Sequence, residues 1–136
     1  MPAAFMTGRF IFGGFFIFNG IHHLLSSRTM AQYAAAKGVP VPEAAVVLTG
    51  LLILFGGISL LLGWRPELGI GAIAIFLIGV TPAMHNFWTE SGAERTADMG
   101  HFMKNMALLG GTLMFSAVPR PWPASIEERR LVVFRR

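Results

Sequence analysis

The sequence predicts an all-α integral membrane protein: a four-helix bundle with a short interfacial helix in the first outer loop and a basic cytoplasmic tail. Two observations carry this reading. Of the 136 residues, 54% are hydrophobic and only 13% are charged, against about 25% charged in an ordinary soluble domain. So few charges do not cover a water-facing globule. The apolar residues also fall into runs as long as a bilayer is thick, separated by short polar or proline-containing breaks. Together these features disfavour soluble-enzyme, collagen-like and disordered classes.

The spans are expected at about residues 5–25, 44–64, 68–88 and 97–118, forming one domain over 1–118, with the tail at 119–136. Ala44 to Trp64 and Leu68 to Thr89 carry no charge if histidine is neutral, and each covers roughly 30 Å as a helix. The first span is apolar and rich in Phe and Gly, but Arg9 lies just inside its start and is expected to snorkel to the interface. The last uncharged run, between Lys104 and Arg120, is too short alone. It must begin near Ala97 and carry Lys104 in its first turns. Ser27 to Lys37, closed by Gly38 with Pro40 and Pro42 beyond, reads as a short helix lying over the bundle, with Met30, Tyr33 and Ala34 on one side. Spans two and three are joined by a tight Arg65-Pro66-Glu67 turn. The glycines at 13, 20, 50, 56, 57, 110 and 111 read as points of close helix approach. The tail opens with the stiff Pro119-Arg120-Pro121-Trp122-Pro123, and Ser125-Ile126-Glu127-Glu128 fits a capping box.

Counting Lys and Arg on alternate sides places seven with the two termini (Arg9, Arg65, Arg120, Arg129, Arg130, Arg135, Arg136) and four opposite (Arg28, Lys37, Arg95, Lys104). The positive-inside rule then puts both termini in the cytoplasm of a bacterial-type inner membrane. The tail's arginines suit anionic lipid headgroups better than nucleic acid, so the partners expected are the bilayer and other membrane subunits or further copies of the chain.

On this topology the polar residues collect at the outer ends of the spans. Asn19, His22 and His23 close span one. His85, Asn86 and Trp88 close span three. His101, Lys104 and Asn105 open span four. The inner halves hold little beyond Arg9, Thr49, Ser59 and Ser116. Intramembrane polar groups tend to face a bundle interior or a wet cavity and to mark function, so these nine residues are the ligand-binding candidates. Of His22 and His23, adjacent and about 100° apart on a helix, one faces the cavity. Lys104, Asn105 and His101 bring a cation, an amide and an imidazole to one turn, a set suited to a quinone carbonyl or an anionic substrate. Glu90, Glu94 and Asp98 are available counter-ions, with a solvated loop as their expected setting. Pro82 is expected to bend span three one turn before His85.

No cysteine is present, which removes disulfides, thiolate catalysis and self-ligated iron–sulfur clusters. No HxxxH or HxxH pair lies on one helix, so neither a metal nor a bis-histidine haem is expected, and no residue is assigned a catalytic role.

Several segments together resemble the DoxX-like family of small four-helix membrane proteins: Arg9 and the Gly/Phe-rich span ending near Gly20 and His23, Lys37-Gly38-Val39-Pro40, Gly56-Gly57 to Leu62-Gly63, His85-Asn86-Phe87-Trp88, and Phe102-Met103-Lys104-Asn105 followed by Gly110-Gly111. The resemblance covers about residues 5–118. It implies a membrane subunit linked to a redox system, such as a quinone-reducing thiosulfate oxidoreductase or an oxidative-stress assembly. One departure stands out: many relatives carry a glutamate just before the Gly-Gly pair of span two, where Ile53 and its neighbours are aliphatic here. Any proton-handling role of that carboxylate does not carry over.

Two readings follow. In the first, the chain is a redox-linked subunit holding a quinone-like or other small ligand in an outer-leaflet polar cavity. In the second, it is a non-catalytic accessory or assembly subunit of a larger membrane complex.

Overall fold

The computed structural model describes residues 2–129; Arg130, Arg135 and Arg136 of the expected tail lie outside them. Five α-helices follow one another: α1 (Pro2–Leu25), α2 (Ser27–Ala36), α3 (Pro42–Leu62), α4 (Pro66–Met84) and α5 (Gly92–Met114), with 3-10 turns at Phe87–Thr89 and Phe115–Ala117. Among the described residues three segments are long and apolar enough to cross a membrane: Ala3–Leu25, Pro42–Leu62 and Pro66–Thr89. Helix α2 ends as its glycine dictates. Gly38 takes a left-handed φ of 79°, and the Gly38 and Val39 N–H groups donate back to Ala35 and Ala34, closing a Schellman motif. Gly63 (φ 59°) ends α3 in the same way, with Trp64 N–H donating to Ser59 O at 3.1 Å. Pro42 and Pro66 open α3 and α4, where a missing N–H costs nothing. Helix α4 runs through Pro82 and stops at Met84, four residues before the expected end of span three, where His85 leaves helical geometry (φ −127°, ψ 53°).

α3 packs on α1, α2 and α4, and α4 packs on α5. The α1–α3 contact is close enough to require glycine: a Cβ on Gly20 would stand 2.7 Å from Leu54 Cβ, and one on Gly57 2.7 Å from the Gly13 carbonyl. Gly110 is different from the packing role expected of it, since nothing lies within 4 Å of where its Cβ would be. Phe16, Ile53, Leu60, Ile73 and Leu77 form the main core, joined by Trp122.

Arg9 does not snorkel. It is 0% exposed, its guanidinium donating to Pro123 O (3.0 Å) and Ala124 O (3.4 Å) and lying near the Phe5, Phe10 and Trp122 rings. The reason is the segment after α5, which folds back against the start of α1 and brings carbonyls to the cation. Ser125 then caps a helical turn, its Oγ accepting from Glu128 N–H at 3.0 Å while Glu128 accepts from Ala124 N–H at 2.7 Å. Arg120 pairs with Glu67 and reaches Glu127 at 3.5 Å.

Candidate ligand cavity beneath the α2 helix

A cavity of about 530 Å³ lies between the helices at the end carrying α2. Helix α1 contributes Phe15, Phe16, Asn19 and His23, and α3 contributes Val46, Thr49, Leu52 and Ile53. From α4 come Ile75, Phe76, Val80, Ala83 and Met84, with His85 at its end; Lys104, Asn105 and Leu108 of α5 close the wall. Thr29, Met30, Tyr33 and Ala34 place α2 across the top. The helix is fixed there because Ala31 and Ala34 bury against Val46, with Met30 and Met84 packed beside them.

The cavity is apolar along most of its length, with its polar groups in small sets. His23 sits 3.5 Å from Thr49 Oγ1 through Nδ1 and meets the Phe76 ring edge-on at 5.9 Å. Gly50 packs against its Cβ, which fixes its direction. His22, one residue earlier, points elsewhere: it is exposed and 3.5 Å from Ser26 Oγ. Asn19 donates to its own helix at Phe15 O (2.7 Å), leaving its oxygen as an acceptor. Thr49, expected in the inner half, belongs to this cavity because α3 begins at Pro42 and reaches position 49 within two turns.

Above the cavity stands a chain of charges. Lys37, just past α2, pairs with Glu90 and lies 2.7 Å from Asp98 Oδ2. The other Asp98 oxygen is 3.2 Å from His85 Nδ1. The His85 ring stacks on His101, centroids 5.0 Å apart at 23°, and Lys104 Nζ is 3.5 Å from His101 Nδ1. Glu90 and Asp98 are therefore not solvated loop acids: the Lys37 cation draws both under α2, while Glu94 remains exposed. The two hydrogen bonds, Asp98 first and Glu90 second, raise the Lys37 pKa above its ordinary value. Lys37 is the residue that sequence reasoning missed, since its partners lie more than fifty positions away and no local spacing marks them.

Of the nine candidates, the structure brings Asn19, His23, His85, Lys104 and Asn105 to one cavity. His101 does not line it but stands behind two residues that do, stacked on His85 and 3.5 Å from Lys104 Nζ. Asn86 and Trp88 lie in the turn beyond α4, Asn86 donating to Thr89 Oγ1 at 2.9 Å and Trp88 packing edge-on to Phe102. Among the described residues no three histidine or acidic side chains converge as a metal ion would require.

A family model described as DoxX matches residues 4–86, which takes in α1 to α4. The chain belongs to the DoxX family. It is an integral, multi-pass membrane protein. The DoxX match ends one residue beyond His85, so the α5 wall of the cavity lies outside it. Inner membrane protein YphA of Escherichia coli (strain K12) is 23% identical over 128 residues, covering 94% of this chain and 91% of that protein, and this alignment includes α5. No solved structure matches the chain.

Proposed function

We propose that this DoxX-family protein is a redox-linked membrane subunit that binds a quinone-like or other small lipid-soluble ligand in the cavity beneath α2. The observation that carries the reading is the cavity itself: about 530 Å³, within the range of roughly 300–1,000 Å³ of small-molecule sites and with their usual mix of apolar wall and few polar groups. The residues present fit a quinone. Asn105 and Lys104 are donors for a ring oxygen, and Phe15, Phe16, Phe76 and Ile75 suit a ring and its chain. A bound quinone would supply electron-acceptor chemistry, with the donor residing on a partner subunit. His85, held at Nδ1 by Asp98, keeps its Nε2 to take or give a proton. Helix α5 is the fourth span in this reading, both termini are cytoplasmic, and the cavity belongs to the outer leaflet of a bacterial-type inner membrane. The test is titration of the purified protein in mild detergent with a short-chain ubiquinone analogue, followed by native mass spectrometry. One saturable site, lost in Val80→Phe, is the expected result; absence of saturable binding sinks the reading.

A second reading, the non-catalytic accessory or assembly subunit, is favoured by a different surface. Gly71, Gly79, Gly100 and Gly110 have nothing within 4 Å of where a Cβ would be, so α4 and α5 present bare backbone for another membrane helix to approach. Partner chains without a ligand adduct in the same mass spectrum would select it.

A further inference from the structure

Two donors in the cavity wall have no oxygen partner among the described residues. Asn105 is only 7% exposed and lines the cavity, yet its amide has no hydrogen-bond partner among the described residues. Its polar atoms are not sealed away but open on the cavity, where a ligand oxygen can reach them. Beside it, at the cavity rim, Lys104 has no carboxylate at salt-bridge distance among the described residues; its sole polar neighbour is His101 Nδ1 at 3.5 Å. Glu90 and Asp98 both face Lys37, and Asp98 spends its second oxygen on His85.

Helices α1 and α5 make no extended contact with each other; they meet where Gly111 faces the Phe12 ring. Phe15 and Asn19 on α1 line the same cavity as Lys104, Asn105 and Leu108 on α5. A chain-bearing ligand held in the cavity can place its head against Lys104 and Asn105.

Resting on the cavity's being a ligand site, we infer that the ligand is an acidic amphiphile whose head oxygen is bound as the anion by Lys104 Nζ and the Asn105 amide. A charge-assisted hydrogen bond is roughly twice as strong as a neutral one, so ionisation of the head decides affinity. Two probes that share a ring and chain and differ at one oxygen test it: a 2-hydroxy-3-alkyl-1,4-naphthoquinone, ionised at neutral pH, and its 2-methoxy ether, which cannot ionise. Titrated calorimetrically into the full chain in uncharged detergent, the hydroxy compound is expected to bind about tenfold more tightly. Lys104→Met and Lys104→Gln should each abolish the preference, and Lys104→Arg should keep it. Equal affinities in the wild-type protein overturn the anionic head and leave the cavity reading intact. A preference that survives loss of the Lys104 charge overturns it also, and binding of neither probe overturns both readings. The wild-type comparison stands even if a Lys104 variant does not fold.

Discussion

Lys37 Nζ lies 2.7 Å from Asp98 Oδ2, and this contact ties the end of α2 to α5, the helix farthest from it in the sequence. α2 covers the cavity, so the ion pair holds the cover in place. Lys37→Met leaves Asp98 and Glu90 facing a largely buried site without their cation, a change expected to destabilise the protein by about 2–4 kcal/mol, toward the lower side for partly exposed partners. Thermal unfolding in detergent reads this directly. Lys37→Met combined with Asp98→Leu should recover part of the loss, because the uncompensated charge then goes too.

The same pair sets a pH dependence. The folded-state pKa of Lys37 is raised, by Asp98 first and Glu90 second. A raised pKa means that the stabilisation is complete below the unfolded lysine value of about 10.4 and is lost only as pH rises through the higher folded value. The difference in unfolding temperature between wild type and Lys37→Met should therefore stay constant from about pH 8 to pH 10 and shrink only beyond it. A difference that falls across that window would contradict the geometry.

Arg9 is the corresponding tie at the other end. Its guanidinium serves the Pro123 and Ala124 carbonyls at once, a forked reach that an ammonium does not reproduce. Arg9→Lys and Arg9→Met are both expected to release the segment carrying Trp122. Limited proteolysis should then cut after α5 in both variants and not in the wild type, and tryptophan fluorescence should shift to the red as Trp122 leaves its buried site.

Two glycines give opposite signs for one substitution. Gly20→Ala places a methyl 2.7 Å from Leu54 Cβ and 2.9 Å from its backbone, so α1 must move off α3, at a cost of about 1–3 kcal/mol. Gly110→Ala meets nothing within 4 Å and gains helix propensity, up to about 1 kcal/mol in its favour. Unfolding temperatures of the two variants, one down and one up, check this.

How much of this was legible in the sequence follows from the range of the forces involved. The helices were, because uncharged runs, Pro42, Pro66, Gly38 and Gly63 act locally; Ser125 and Glu128 announced their cap for the same reason. The clustering of Asn19, His23, His85, Lys104 and Asn105 followed from placing polar groups at one end of apolar helices. What stayed hidden depends on partners far along the chain. Arg9 looks like a snorkelling residue until the carbonyls of Pro123 and Ala124 arrive 114 and 115 positions later, and Lys37 looks like a loop charge until α5 brings Asp98 under it. Gly110 looks like a packing glycine because its neighbour Gly111 is one.

His22 and His23 provide the sharpest test of the cavity, since they are chemically identical and adjacent. His23 is directed inward by Gly50 against its Cβ, by Thr49 at 3.5 Å and by the Phe76 ring; His22 is turned to the outside beside Ser26. His23→Ala should weaken binding of the ubiquinone analogue by about fivefold, the effect of losing one hydrogen-bonding and packing group of roughly 1 kcal/mol. His22→Ala should leave it within about twofold. Calorimetric titration of the two variants under the same conditions decides the matter, because any general effect of removing an imidazole from this turn is common to both. If the two lose affinity equally, the ligand does not sit where the α1 and α3 walls meet, and the cavity beneath α2 is not its site.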